Sequence, residues 1–90
     1  MERQLIKGIS LIKSSGHRKR ILTNLMDVNY LTPSEISKKT KIRSNHVSNS
    51  LKDLKDNKLI LCLNEEDKRG RIYQITELGK KVIKENGDND

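Results

Sequence analysis

The first apolar residues of the chain recur at helical spacing. Within residues 2–13, Leu5, Ile9 and Ile12 fall on one side of a helix, and Ile6 lies beside them. This stripe predicts an amphipathic N-terminal helix. A docked extended arm is the alternative, because a glycine in the middle of the stretch weakens a helix.

Residues 17–27 carry a second apolar stripe at helical spacing and predict another amphipathic helix. The first turn of this helix, His17 to Arg20, is basic, although positive charge opposes the dipole at a helix N-terminus. Helix stability therefore does not explain these residues. We expect them either to reach phosphate or to form a solvated face.

The segment that follows holds the clearest helix start in the chain. Thr32 suits the N-cap, Pro33 suits the first helical position, and Glu35 completes a Thr-x-x-Glu capping box. The predicted helix is short and ends near Thr40, with Ile36 as its core residue.

A further helix is predicted over residues 44–58, with Ser44 as the candidate N-cap. Val47, Leu51 and Leu54 lie at i, i+4 and i+7 and make a narrow apolar stripe. The remaining surface is rich in Asn, Ser and His. Solvated helix faces usually carry Glu and Lys in i,i+4 pairs, which the first half of this helix lacks.

The run over residues 59–63 and the alternating segment 71–76 both have strand length and predict a β-hairpin. Tyr73 and Ile75 share one face of the second strand. The loop between the strands, "NEEDKRG", is charged and ends in glycine.

The chain closes with a predicted helix over residues 76–86, capped by Thr76. Two consecutive short helices joined by a tight turn describe a helix-turn-helix, and the hairpin after them is a wing. We predict a mostly α winged helix-turn-helix fold with a β-hairpin wing and an extra N-terminal helix. Residues 1–14 form the N-terminal helix or arm, 15–85 the winged domain, and 86–90 a disordered tail.

The charge of the chain is unevenly placed. Residues 1–58 hold thirteen Lys or Arg and five Asp or Glu, a net charge of +8, whereas residues 59–90 hold six and seven, a net charge of −1. A basic surface attracts polyanions, of which nucleic acid is the commonest. A well-solvated basic protein from a high-salt or hot cytoplasm is the plainer alternative.

Candidate chemistry other than binding is weak. Cys62 is the only cysteine, which excludes an intrachain disulfide and favours a reducing cytoplasm. His17 and His46 could join Cys62 in a metal-sensor set, but their spacing matches no metal motif. No membrane-spanning run, secretory leader, phosphate-binding glycine loop or catalytic arrangement stands out. We predict no enzymatic activity, no metal and no cofactor.

Several stretches match a known family: Ser34-Glu35-Ile36-Ser37, Ile42, Val47-Ser48, Leu51, Leu54, Gly70-Arg71-Ile72-Tyr73 and "ITELGKKV". Through these stretches, residues 17–85 resemble the winged helix-turn-helix transcriptional regulators, especially small archaeal ones related in fold to the MarR and ArsR groups. The family usually has glycine where this chain has Lys41. Because a positive φ would cost a lysine about 1 kcal/mol, we expect the turn to be reshaped.

The resemblance implies a cytoplasmic, sequence-specific, double-stranded DNA-binding transcriptional regulator. Helix 44–58 is expected in the major groove, and the wing, residues 64–71, on the DNA backbone or in the minor groove. Asn and Ser side chains on the outward face of that helix suit base edges. The predicted base contacts are Asn45, His46, Ser48, Asn49 and Lys52.

The predicted backbone and wing contacts are Lys38, Lys39, Lys41, Arg43, Ser44, Lys68, Arg69 and Arg71. For each of them a solvated surface is the alternative. Three acidic residues precede the basic ones in the wing, and they either repel phosphate or hold the arginines in place by local pairing.

Two further predictions concern partners. The apolar residues of the N-terminal helix, Leu5, Ile6, Ile9 and Ile12, are expected either to cover the chain's own core or to pair two chains, and helix 76–86 could join that interface. A two-fold homodimer would place the two copies of helix 44–58 about 34 Å apart on one face of the DNA. The alternative function is a winged-helix protein–protein interaction module in a larger assembly. Its basic face would be solvated, and its N-terminal helix would dock a partner protein.

Overall fold

A computed structural model describes residues 3–87 of the chain. These residues form five helices and a two-stranded antiparallel sheet. The helices are α1 (Arg3–Lys13), α2 (Gly16–Met26), α3 (Pro33–Thr40), α4 (Ser44–Asp56) and α5 (Glu77–Gly87), and the strands are β1 (Ile60–Cys62) and β2 (Tyr73–Ile75). The predicted winged helix-turn-helix with an extra N-terminal helix is confirmed.

The capping box at the start of α3 is confirmed. The Thr32 hydroxyl accepts from the main-chain N–H of Glu35 at 3.2 Å, and the Glu35 carboxylate accepts from the N–H of Thr32 at 2.9 Å. This main-chain bond holds the pKa of Glu35 below its ordinary value. The box therefore fixes where α3 begins.

The core lies where the five helices and the hairpin meet. Ile21, Leu22 and Leu25 supply the buried face of α2, and Ile36 does so for α3. The predicted stripe of α4 is buried together with Ser50, which the periodicity did not indicate. Branched aliphatic side chains thus fill the interior, as the scarcity of aromatic residues requires.

The hairpin pairs Ile60 with Ile75 and Cys62 with Tyr73. Tyr73 also exchanges main-chain hydrogen bonds with Leu31, at 2.9 and 3.0 Å, so the segment before α3 forms a single antiparallel bridge to β2. Tyr73 and Ile75 are buried on one face, as predicted. The wing is therefore anchored to the entry of the helix-turn-helix.

The N-terminal segment is a helix rather than an extended arm, and it packs on α5. Gly8 allows this approach, since a Cβ there would lie 2.7 Å from a methyl group of Val82 and 3.1 Å from Leu59. Ile12 is only 1% exposed because it joins the chain's own core. Of the two roles predicted for Ile12, the structure therefore shows the first, cover of the chain's own core, whereas Ile6 remains 53% exposed.

The boundary of the C-terminal tail also needs correction. Helix α5 continues to Gly87, so residues 86 and 87 belong to the helix and not to a disordered tail. The main-chain N–H of Gly79 donates to the Thr76 hydroxyl at 3.0 Å, which confirms the predicted cap of this helix. The remainder of the predicted tail, residues 88–90, lies outside the described residues.

Candidate nucleic-acid interface

The turn between α3 and α4 has the left-handed conformation that a lysine disfavours. Lys41 has φ of 60° and ψ of 24°, and its N–H donates to the carbonyl of Ser37 at 2.8 Å. The expectation of a reshaped turn is wrong. Side chains around the turn hold it, because the Ser37 hydroxyl donates to the Ile42 carbonyl at 2.6 Å and the Thr40 hydroxyl accepts from the Ile42 N–H at 3.3 Å.

The start of α4 differs from the prediction. Arg43 is the N-cap, with extended φ and ψ of −61° and 146°, and its side chain makes no capping hydrogen bond. Ser44 is the first helical residue, so its predicted N-cap role is wrong. A guanidinium cannot accept a hydrogen bond, so the N-cap residue supplies no side-chain acceptor to the first N–H groups of α4.

The polar face of α4 is exposed. Val47, Leu51 and Leu54 point into the core, and the residues opposite them face outward. All five predicted base contacts, Asn45, His46, Ser48, Asn49 and Lys52, are exposed. The polar face of α4 therefore points outward, as predicted. The base contacts themselves stay a prediction.

His46 at the edge of this face lies against His17 in the first turn of α2. The ring centroids are 5.1 Å apart, and the ring planes are tilted by 46°. The N-termini of α2 and α4 are thus adjacent.

Cys62 belongs to β1, where its thiol donates to the amide oxygen of Asn64 at 3.6 Å. Within residues 3–87 no three His, Cys, Asp or Glu side chains group as metal ligands.

Two arginines of α2 have partners inside the molecule, which neither sequence-based alternative for the basic turn foresaw. Arg18 forms an ion pair with Asp53 of α4 at 2.8 Å. Arg20 donates to the main-chain carbonyl of Thr40, at the end of α3. Both guanidinium groups therefore position the helix-turn-helix. Sequence alone offered no signal for these contacts, because they join residues 20 or more positions apart.

The predicted backbone contacts around the turn, Lys38, Lys39, Lys41, Arg43 and Ser44, are all exposed. They follow one another along the end of α3, the turn and the first residue of α4. This basic segment borders the polar face at the N-terminal end of α4. Its position suits contact with the phosphates that flank a groove occupied by α4.

The wing loop, residues 64–71, is organised by one amide side chain. The Asn64 amide nitrogen donates to the Asp67 carboxylate at 3.0 Å and to the Gly70 carbonyl at 3.1 Å, and its oxygen accepts from the Ile72 N–H at 2.8 Å. Lys68 and Arg69 are exposed at the tip. The loop is therefore a folded turn that presents two cations.

Arg71 is held differently from the local pairing that the sequence suggested. Its Nε donates to the main-chain carbonyl of Asp67 at 2.7 Å, and its Nη2 donates to that of Glu65 at 3.3 Å. The Glu65 carboxylate instead pairs with Lys55 of α4. Main-chain carbonyls, not the acidic side chains, therefore fix this arginine.

A groove of about 680 Å³ runs between the start of α3, the exposed flank of α4 and the wing. Five basic side chains line it: Lys52, Lys55, Lys68, Arg69 and Arg71. Ser48 from the polar face lines it too. The predicted wing contacts and part of the predicted base-reading face therefore border one continuous basic groove.

None of the helices within the described range has the length and apolar character of a membrane span. No protein-family model and no curated protein matches the sequence. Solved structures do match. MarR from E. coli, complexed with operator DNA, superposes with a TM-score of 0.73 at 21% identity, over 96% of this chain and 62% of that chain.

Two further structures agree. MepR from S. aureus, in a complex with DNA, gives a TM-score of 0.74 at 21% identity, over 96% of this chain and 72% of that chain. BpsR from Bordetella bronchiseptica, whose DNA binding is regulated by 6-hydroxynicotinic acid, gives 0.76 at 18% identity, over 96% and 71%. The chain thus has the winged helix-turn-helix fold of MarR-family regulators, and it spans about three fifths of the length of the E. coli protein.

Proposed function

We propose that this chain, which has the fold of MarR-family regulators, is a DNA-binding transcriptional regulator without catalytic activity. One observation carries the proposal: the outward face of α4 is uncharged and polar over its first half, and basic groups border it on both sides. Two of the solved structures with this fold contain DNA. The net charge of +8 in residues 1–58 supports a polyanionic partner.

In the proposed complex α4 enters the major groove. Asn45 and Asn49 are suited to the N6/N7 edge of adenine, and His46, Ser48 and Lys52 flank them. Phosphate contacts come from the basic segment around the turn and from the uncapped N–H groups at the start of α4, where the helix dipole favours negative charge. Lys68 and Arg69 at the wing tip meet the backbone or the minor groove.

Selection of bound sequences from random duplex DNA tests sequence-specific binding. We expect one enriched motif of a few base pairs and an affinity for it at least about a thousandfold above that for random duplex. An unenriched pool would show that the α4 face does not read bases. The chain would then bind DNA only through its charge.

A protein-interaction module is the second candidate, favoured by Leu61 and Leu63, which are 38% and 47% exposed on the hairpin. Such a module would bind duplex DNA no better than its charge predicts and would co-purify with one defined polypeptide.

Pairing of two copies is also proposed, through Ile6 and the outer surface of α5. Sedimentation equilibrium would show a concentration-dependent doubling of mass. We expect the protein in the cytoplasm.

A further inference from the structure

Helix α4 and the wing are joined by an ion pair. Lys55 of α4 contacts the carboxylate of Glu65 in the wing. This contact raises the pKa of Lys55 and lowers the pKa of Glu65, because each charge stabilises the other. The side chains are 38% and 55% exposed, so the pair is a surface pair that a stronger ligand can replace.

Glu65 also contacts a second cation of the basic groove. Its main-chain carbonyl accepts from the guanidinium of Arg71 at 3.3 Å. Lys55 and Arg71 both line the groove next to the α4 face. Glu65 therefore contacts two of the five basic side chains that line the groove, Lys55 through its carboxylate and Arg71 through its main-chain carbonyl.

We infer that Glu65 competes with DNA phosphate for Lys55 and thereby lowers the affinity of the protein for duplex DNA of any sequence. The inference rests on the proposed function. In the free protein the Lys55 ammonium is neutralised by the Glu65 carboxylate. Binding exchanges that carboxylate for a phosphate oxygen, and the carboxylate returns to water. Phosphate neutralisation supplies the sequence-independent part of affinity, so an internal competitor reduces that part directly.

The wing offers a matched control for this exchange. Glu66 is the next residue, is exposed and carries the same charge. The ion pair of Lys55 is with Glu65. Glu65→Gln and Glu66→Gln therefore change the net charge equally, and only the first removes the competitor of Lys55. Both substitutions are on the surface, and thermal unfolding confirms that each variant is folded.

The experiment is a double-mutant cycle of Glu65→Gln with Lys55→Gln, measured as duplex affinity by fluorescence anisotropy at low salt. We expect Glu65→Gln to tighten binding about two- to fivefold more than Glu66→Gln, on both selected and random duplexes. In the Lys55→Gln background the two substitutions should have equal effects. In the chain that keeps Lys55, the difference in affinity gain between Glu65→Gln and Glu66→Gln should shrink as salt increases.

Two outcomes with duplex DNA would overturn the inference. Equal effects of Glu65→Gln and Glu66→Gln would mean that only net charge matters. Weaker binding by Glu65→Gln would mean that the ion pair supports the wing in its DNA-binding position.

The same four proteins of the cycle are titrated with inorganic polyphosphate, which offers phosphate without bases. Coupling between residues 55 and 65 with this ligand would support the exchange even if the wild-type chain selected no duplex sequence. Failure of the proposed function is thereby distinguished from failure of this inference. Absence of coupling with both ligands would rule out the exchange.

Discussion

Arg18 of α2 and Asp53 of α4 form an ion pair at 2.8 Å, and the same guanidinium binds the end of α1. Its Nη1 donates to the Leu11 carbonyl at 3.0 Å and to the Ser14 hydroxyl at 3.1 Å. One side chain thus connects three helices. This contact explains why a basic residue occupies the first turn of α2, where the helix dipole disfavours it.

The two members of this pair should differ in their effect on stability. Asp53→Asn should lower the free energy of unfolding by less than about 1 kcal/mol, because the carboxylate is 43% exposed and the pair is screened by solvent. Arg18→Gln should cost more, since it also removes the bonds to Leu11 and Ser14. Urea unfolding of both single variants and the double variant measures the coupling. Equal losses in the two single variants would contradict a three-helix role for Arg18.

Asn49 should determine base choice. Asn49→Ala should weaken binding to the selected site by about 1–3 kcal/mol and relax base preference at one position, because one bidentate contact is lost. Arg69→Ala should weaken all duplexes similarly and reduce the slope of log affinity against log salt by about one. Anisotropy titrations on matched and mismatched duplexes separate these effects. A uniform loss for Asn49→Ala would place this side chain on the backbone instead.

Lys41 is held at φ of 60°, which a β-carbon disfavours. Lys41→Gly should raise the free energy of unfolding by about 0.5 kcal/mol, since relief of the left-handed conformation outweighs the added freedom of the unfolded chain. Lys39→Gly, inside α3, should instead lower it by about 1 kcal/mol. Both variants lose one positive charge, so urea unfolding compares them at equal net charge. Destabilisation by Lys41→Gly would mean that the lysine side chain itself holds the turn.

Gly79 marks a close approach between α5 and the start of β1. An added Cβ would clash with the main-chain carbonyl of Leu59, and backbone cannot yield as a side chain can. Gly79→Ala should therefore lower the free energy of unfolding by about 1–3 kcal/mol. Gly16→Ala has no atom within 4 Å of the new Cβ and should be neutral or slightly stabilising. Thermal unfolding of the two variants compares them directly.

Local signals were sufficient to predict most elements of the fold. The Thr32-x-x-Glu35 box gave the start of α3 because both hydrogen bonds lie within one turn. Spacing alone placed Val47 and Leu54 in the core, and alternation placed Tyr73 inside the sheet. The outward direction of the polar face of α4 follows from the same spacing.

Contacts between distant segments could not be predicted in this way. Whether Ile12 covers the chain's own core or another chain depends on how α1 docks, which periodicity does not specify. The pairing of Lys55 with Glu65 depends on how the wing folds back toward α4. The left-handed Lys41 is a case in which the surrounding hydrogen bonds override the preference of the residue.

The contact of Gly8 with Val82 and Leu59 has a consequence for any shortened form of this protein. A polypeptide that began after α1 would leave those two aliphatic side chains open to water, next to the vacated site of Ile12. We therefore expect residues 17–85 alone to unfold more readily than the chain with its first helix.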